Sequence, residues 1–137
     1  MLVLDKPSLI PPPGCLKLDN VLVSWIADNS QKKGFSNQNC ITVHASSKYA
    51  DDTWDEGNNH VAEAMIQSIE PLLGSSVVDC HIHRWLYAFA KNPLKSSFYR
   101  DTNMQLTIAG DAFISSRVES AALSGLSAAE SLIQSLK

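Results

Sequence analysis

The chain has few of the features that would place a protein at a glance. Its three cysteines, Cys15, Cys40 and Cys80, are odd in number and contain no C-x-x-C pair, which excludes a disulfide framework and a zinc knuckle. A reducing, intracellular, cytoplasmic setting fits that usage. No run approaches the roughly 20 apolar residues of a membrane-spanning helix. Positive charge is equally scarce: the formal balance of −3 supplies no basic surface for nucleic acid or an anionic membrane. Repeats and low-complexity tracts are absent, which sets solenoids aside. Met1–Gly14 starts apolar but carries Asp5, Lys6 and Pro11-Pro12-Pro13, a composition unlike a secretory signal or a transit peptide.

What is present is enough for one ordinary folded unit. With 137 residues, 45% hydrophobic and 18% charged, the chain can bury a core and is too short for two independent domains of usual size. Met1–Leu4 reads as a short buried strand followed by an extended, proline-rich connector. A chain that begins in mid-strand is expected to be cut from something larger.

From residue 20 to 28 the alternation predicts a strand with Val21, Val23, Trp25 and Ala27 on its apolar face. Residues 29–39 are polar and glycine-containing, hence a loop. Cys40–Ser46, with Ile41, Val43 and Ala45 alternating against Thr42 and His44, is the natural hairpin partner. His44 is then a strand histidine. The acidic group Asp51, Asp52, Asp55 and Glu56 reads as a solvated loop. A helix is expected next, with Val61, Met65, Ile69 and Leu72 on one face, Asn58 or Asn59 as N-cap, a break near Ser68–Glu70 caused by Pro71, and closure at Gly74.

Residues 77–90 give the longest strand expected, with two unlike faces. Val78, Cys80, Ile82, Leu86 and Ala88 point one way; Asp79, His81, His83, Trp85, Tyr87 and Phe89 point the other. The second face would offer ring surface and hydrogen-bond donors to a ligand. His81 and His83 alone make no metal site, because no third ligand is identifiable. Residues 92–103 read as a charged loop. None of the serines lies in a G-x-S-x-G elbow, so nucleophilic catalysis finds no support.

The sharpest signal lies near the end of the chain. The run from Leu106 to Phe113 is apolar until it meets Gly110-Asp111, and a small-residue helix follows from Val118. This is a strand–turn–helix unit whose glycine lets a ligand approach the backbone. Its helix start offers unpaired N–H groups at the positive end of the dipole. In the helix, Val118, Ala122, Leu126, Ala129, Ile133 and Leu136 form a stripe, while Ala121, Gly125 and Ala128 leave room for close packing.

Ala109-Gly110-Asp111, then Arg117-Val118-Glu119-Ser120-Ala121 and Leu123-Ser124-Gly125, resembles the C-terminal flavin motif of FAD-dependent amine-oxidase-like oxidoreductases. Trp25-Ile26-Ala27-Asp28-Asn29-Ser30, Val43-His44-Ala45-Ser46 and His83-Arg84-Trp85-Leu86-Tyr87-Ala88 follow the order of signatures in the renalase-like branch. The resemblance implies an α+β chain made of an antiparallel-sheet substrate domain (residues 1–104) and the last strand and helix of a Rossmann-like FAD domain (residues 105–137). It implies flavin-mediated hydride removal from a dihydronicotinamide-like or amine substrate, with oxygen as acceptor.

By the same resemblance Gly110 and Asp111 would meet the ribityl or pyrophosphate region of FAD. Val118, Glu119, Ser120 and Ala121 would present amides to the flavin pyrimidine ring, and His83, Trp85 and Tyr87 would line the substrate. Ser120 stands where the family has glycine. The G-x-G-x-x-G fingerprint, with its strand, helix and ribose-binding acid, occurs nowhere in the chain. The resemblance therefore implies a C-terminal piece that needs an N-terminal FAD-domain partner or self-associates. The other reading is a catalytically inactive truncated domain acting only through protein–protein contacts.

Overall fold

The computed structural model describes residues 1–32, 34 and 38–136. Part of the expected 29–39 loop and the helix end at Lys137 lie outside the described residues. The chain is α+β, with an antiparallel sheet and helices, and divides into two compact units, Met1–His83 and Arg84–Lys137.

The first unit contains strands β1 (Leu2–Leu4), β2 (Cys15–Lys17), β3 (Val23–Asp28), β4 (Cys40–Ala45) and β5 (Val77–Cys80), in the order β2-β3-β4-β1-β5. Every pairing is antiparallel. Helices α1 (Ser47–Asp52) and α2 (Asn58–Leu73) lie between β4 and β5 in the chain. Leu2, Leu4, Val23, Ile26 and Ile41 from the sheet, Ile10 from the proline-rich connector, and Ile69 and Leu73 from α2 form one buried cluster. Burying side chains of this size is worth about 1.5–3 kcal/mol each, so the cluster dominates this unit's stability.

The hairpin of β3 with β4 forms as the alternation requires, and of the apolar face expected Val23 and Ala27 are buried while Val21 and Trp25 are not. Val23 opposes Ala45 and Trp25 opposes His44, so Ser24 is an extra residue in β3. This bulge shifts the phase by one. Val23 and Ile26 are both fully buried, whereas Val21 is 78% exposed. Trp25 turns to the other side and meets the His44 ring at 4.8 Å between centroids. Partial burial, followed by the charge of the N-terminal ammonium, lowers the His44 pKa. The bulge is held by Ser24 Oγ, which donates to the Ala45 carbonyl at 2.9 Å.

Asp28, at the end of β3, is 3% exposed and fastens the connector to the sheet. Its Oδ1 accepts from Ser30 N and Ser30 Oγ, while its Oδ2 accepts from Ser8 Oγ at 2.8 Å and Gln31 Nε2 at 3.3 Å. Burial alone would raise its pKa; the hydrogen bonds from Ser30, Ser8 and Gln31 outweigh that and hold it below the ordinary 3.8.

Three helical details depart from the sequence reading. Helix α1 takes in Asp51 and Asp52, two of the four acidic residues read as a solvated loop; Ser46 Oγ accepts from Tyr49 N and caps it. Gly57, without a capping side chain, precedes α2 in place of Asn58 or Asn59. Pro71 does not break α2: it sits in the last turn, the helix runs to Leu73, and Gly74 closes it in the left-handed region at φ 67°. A proline there sacrifices one hydrogen bond near the helix end, and the burial of Ile69 and Leu73 outweighs that loss.

The expected strand over 77–90 is also corrected. Only Val77–Cys80 is a strand, because its partner β1 spans three residues and the backbone contacts beyond it end where His81 N meets the Met1 carbonyl at 2.9 Å. Residues 81–90 have no strand, so alternation there does not sort side chains onto two faces.

The second unit has a two-stranded antiparallel sheet, β6 (Tyr99–Asp101) with β7 (Leu106–Ile108), and helix α3 (Val118–Ser135). β6 lies inside the segment read as a charged loop, and the boundary expected between residues 104 and 105 falls within this hairpin. α3 buries Ser120, Ser124 and Ala128. The apolar stripe of the sequence reading points outward: Val118 is 91% exposed, Leu126 and Ile133 are each 57% exposed, and Leu136 is 87% exposed.

Candidate functional site

Gly110 is the centre of the strand–turn–helix unit. β7 ends at Ile108, and the backbone then turns through Gly110 at φ +146°, a conformation that side-chain-bearing residues rarely adopt. A Cβ placed there would meet no heavy atom within 4 Å. The glycine is therefore required by backbone shape, and the space beside it is open. Its N–H donates to Ser124 Oγ at 3.0 Å, and Ser124 is fully buried. The first turn of the unit is thus locked onto the second turn of α3 by a single hydroxyl.

Serines do the same work through the rest of the turn. Ser116 Oγ accepts from Ala90 N at 2.8 Å and lies 3.2 Å from the carbonyls of Ala90 and Asp111. Ser115 Oγ and Ser120 Oγ are 2.6 Å apart. Leu94 forms a parallel bridge with Phe113, its N–H bonding the Ala112 carbonyl at 2.8 Å. Phe113 is the buried aromatic of this unit, and Ile114 beside it is held at φ 64°. A β-branched residue in the left-handed region is strained, so the turn before α3 is not in its relaxed shape.

The start of α3 has no side-chain cap: Arg117 occupies the N-cap position, and Glu119 is the acidic residue of the first turn. The first intrahelical bond runs from Ala121 N to the Arg117 carbonyl. The amides of Val118, Glu119 and Ser120 precede that bond and mark the positive end of an 18-residue helix. The Ser120 side chain is buried, with its Oγ 2.6 Å from Ser115 Oγ. Asp111 is exposed and directly follows Gly110, as the second residue of the turn closed by Phe113 N and the Gly110 carbonyl.

Of the residues singled out in the sequence, Gly110, Asp111, Val118, Glu119, Ser120 and Ala121 all lie in this one turn and helix start. Ala90, at the end of the aromatic segment, is tied to the same turn through Ser116. The three substrate-lining candidates are not on a common strand face. His83 belongs to the first unit and Trp85 and Tyr87 to the second, and Trp85 and Tyr87 are 70% and 91% exposed. The reason is the missing strand over 81–90.

Sequence reasoning missed the polar residues that hold the unit together. Arg100 on β6 reaches the last turn of α3, its guanidinium donating to the Ser131 carbonyl at 2.9 Å, to Ser131 Oγ at 3.0 Å and to Ser135 Oγ at 2.7 Å. Positive charge at that end also complements the helix dipole. The readable sign was the spacing of Ser120, Ser124 and Ala128 at intervals of four, which marks a second, small-residue face. The more hydrophobic stripe masked it.

Among the described residues, no group of three histidine, cysteine, aspartate or glutamate side chains could hold a metal ion. No helix among them is long and apolar enough to cross a membrane. A search of known protein families returns no match to this chain.

Proposed function

We propose that the chain is the C-terminal part of a renalase-like FAD-dependent oxidoreductase. The observation that carries this reading is the open turn at Gly110 leading into an uncapped helix whose first-turn amides precede any intrahelical bond. These features suit close approach by an electron-rich ring oxygen. Glu119 already places negative charge at that helix end, which suits a neutral heterocycle better than an additional phosphate. Asp111 would accept hydrogen bonds from ribityl-type hydroxyls. When bound, the isoalloxazine would supply hydride acceptance from a dihydronicotinamide-like or amine substrate, with oxygen reduced to hydrogen peroxide. The residues present account for only one edge of such a site, and an N-terminal dinucleotide-binding segment would supply the rest.

The test is flavin retention. The chain joined to its upstream coding segment is expected to purify yellow, and Asp111→Ala is expected to lower FAD retention by about 10-fold or more, the scale of one or two lost hydrogen bonds. Equal flavin content in wild type and variant after desalting removes the role given to Asp111. A colourless joined protein that takes up no added FAD overturns the whole reading.

The second reading is a catalytically inactive truncated domain that works only through protein–protein contacts. It is favoured by the exposed stripe of α3, since a continuous apolar face of this kind calls for a partner surface. The two readings part on flavin: the second expects none bound at any concentration, with association persisting in the Asp111→Ala variant.

A further inference from the structure

We draw no further inference here: the strongest candidate, the apolar stripe of α3 from Val118 to Leu136, carries nothing more because nothing in the structure shows what covers it.

Discussion

Asp28 illustrates how one side chain can be divided between two tasks. Its Oδ1 caps the 3-10 turn of Asn29–Gln31, and its Oδ2 holds Ser8 of the connector and Gln31. Because the folded-state pKa lies below 3.8, the stabilisation is complete above the unfolded value and is lost as pH falls through the folded one. Urea denaturation of the wild type is therefore expected to show stability falling on acidification below about pH 4. In Asp28→Asn the amide can keep the Oδ1 contacts, but its NH₂ opposes the Gln31 donor. A loss of about 1–2 kcal/mol at neutral pH is expected, with a flatter acid limb. A variant whose acid limb matches the wild type would show that other carboxylates control it. Asp28 was visible in the sequence as the last residue of a strand. Its partners were not, because Ser8 lies across the proline-rich segment and only the folded chain brings the two within 2.8 Å.

Among the elements, apolar alternation and helical spacing locate β3, β4 and α2. β4 pairs with β3, the strand before it in the chain, and α2 carries its own buried stripe, so local pattern and tertiary structure agree. Which segments pair is not written in the pattern. Residues 81–90 alternate well but find no ladder, while Tyr99-Arg100-Asp101 forms one within a charged stretch because Leu106–Ile108 lies just beyond a turn.

α3 is the instructive case. Its stronger apolar periodicity marks the face left outside, and hydroxyl contacts from Ser120 and Ser124 fasten the other. Replacing Leu126 and Ile133 together by serine should leave the stability of the second unit within about 0.5 kcal/mol, as expected for exposed positions. Where wild-type chains associate, light scattering should report less association in the variant. Unchanged association would place the contact elsewhere, and a large loss of stability would mean that the stripe is covered.

At the scale of the whole molecule, the two units differ in how they are held. The first has a sheet, a helix and a contiguous apolar cluster. In the second, the buried ones among the described residues are Phe113, Ser120, Ser124 and Ala128, and many large apolar side chains are exposed. Hydrogen bonds to serine and Arg100 replace much of what a core would provide, and such bonds contribute only about 0.5–1.5 kcal/mol each net. The second unit is accordingly expected to be the weaker one. Brief trypsin treatment is expected to cut first after Arg84 or Lys91, in the segment without helix or strand at the start of that unit. A fragment ending near residue 84 should then outlast its companion on a gel. Survival of the C-terminal fragment instead would reverse the order of stability. The α+β composition could be read in advance from alternation and helical spacing, but the division at His83 could not, since no glycine-rich or polar linker marks it.

The extra residue at Ser24 has an evolutionary consequence. Val23 faces Ala45, Trp25 faces His44 and Ile26 faces Val43, so the partner strand counts 45, 44, 43 while β3 skips one. Deleting Ser24 would leave that count continuous against β4 and exchange no buried side chain for an exposed one; the losses are the hydroxyl contact to the Ala45 carbonyl and the backbone bond that Leu18 N donates to the Ser24 carbonyl at 2.9 Å, about 1 kcal/mol each. Removing Trp25 itself would be equivalent in count but would take the ring from His44, and a deletion after Ile26 would invert the inside and outside of the remainder. Length variation in this strand is therefore least costly at this one position. A cooperative melt in the Ser24 deletion, lowered by no more than about 10 °C, would confirm it.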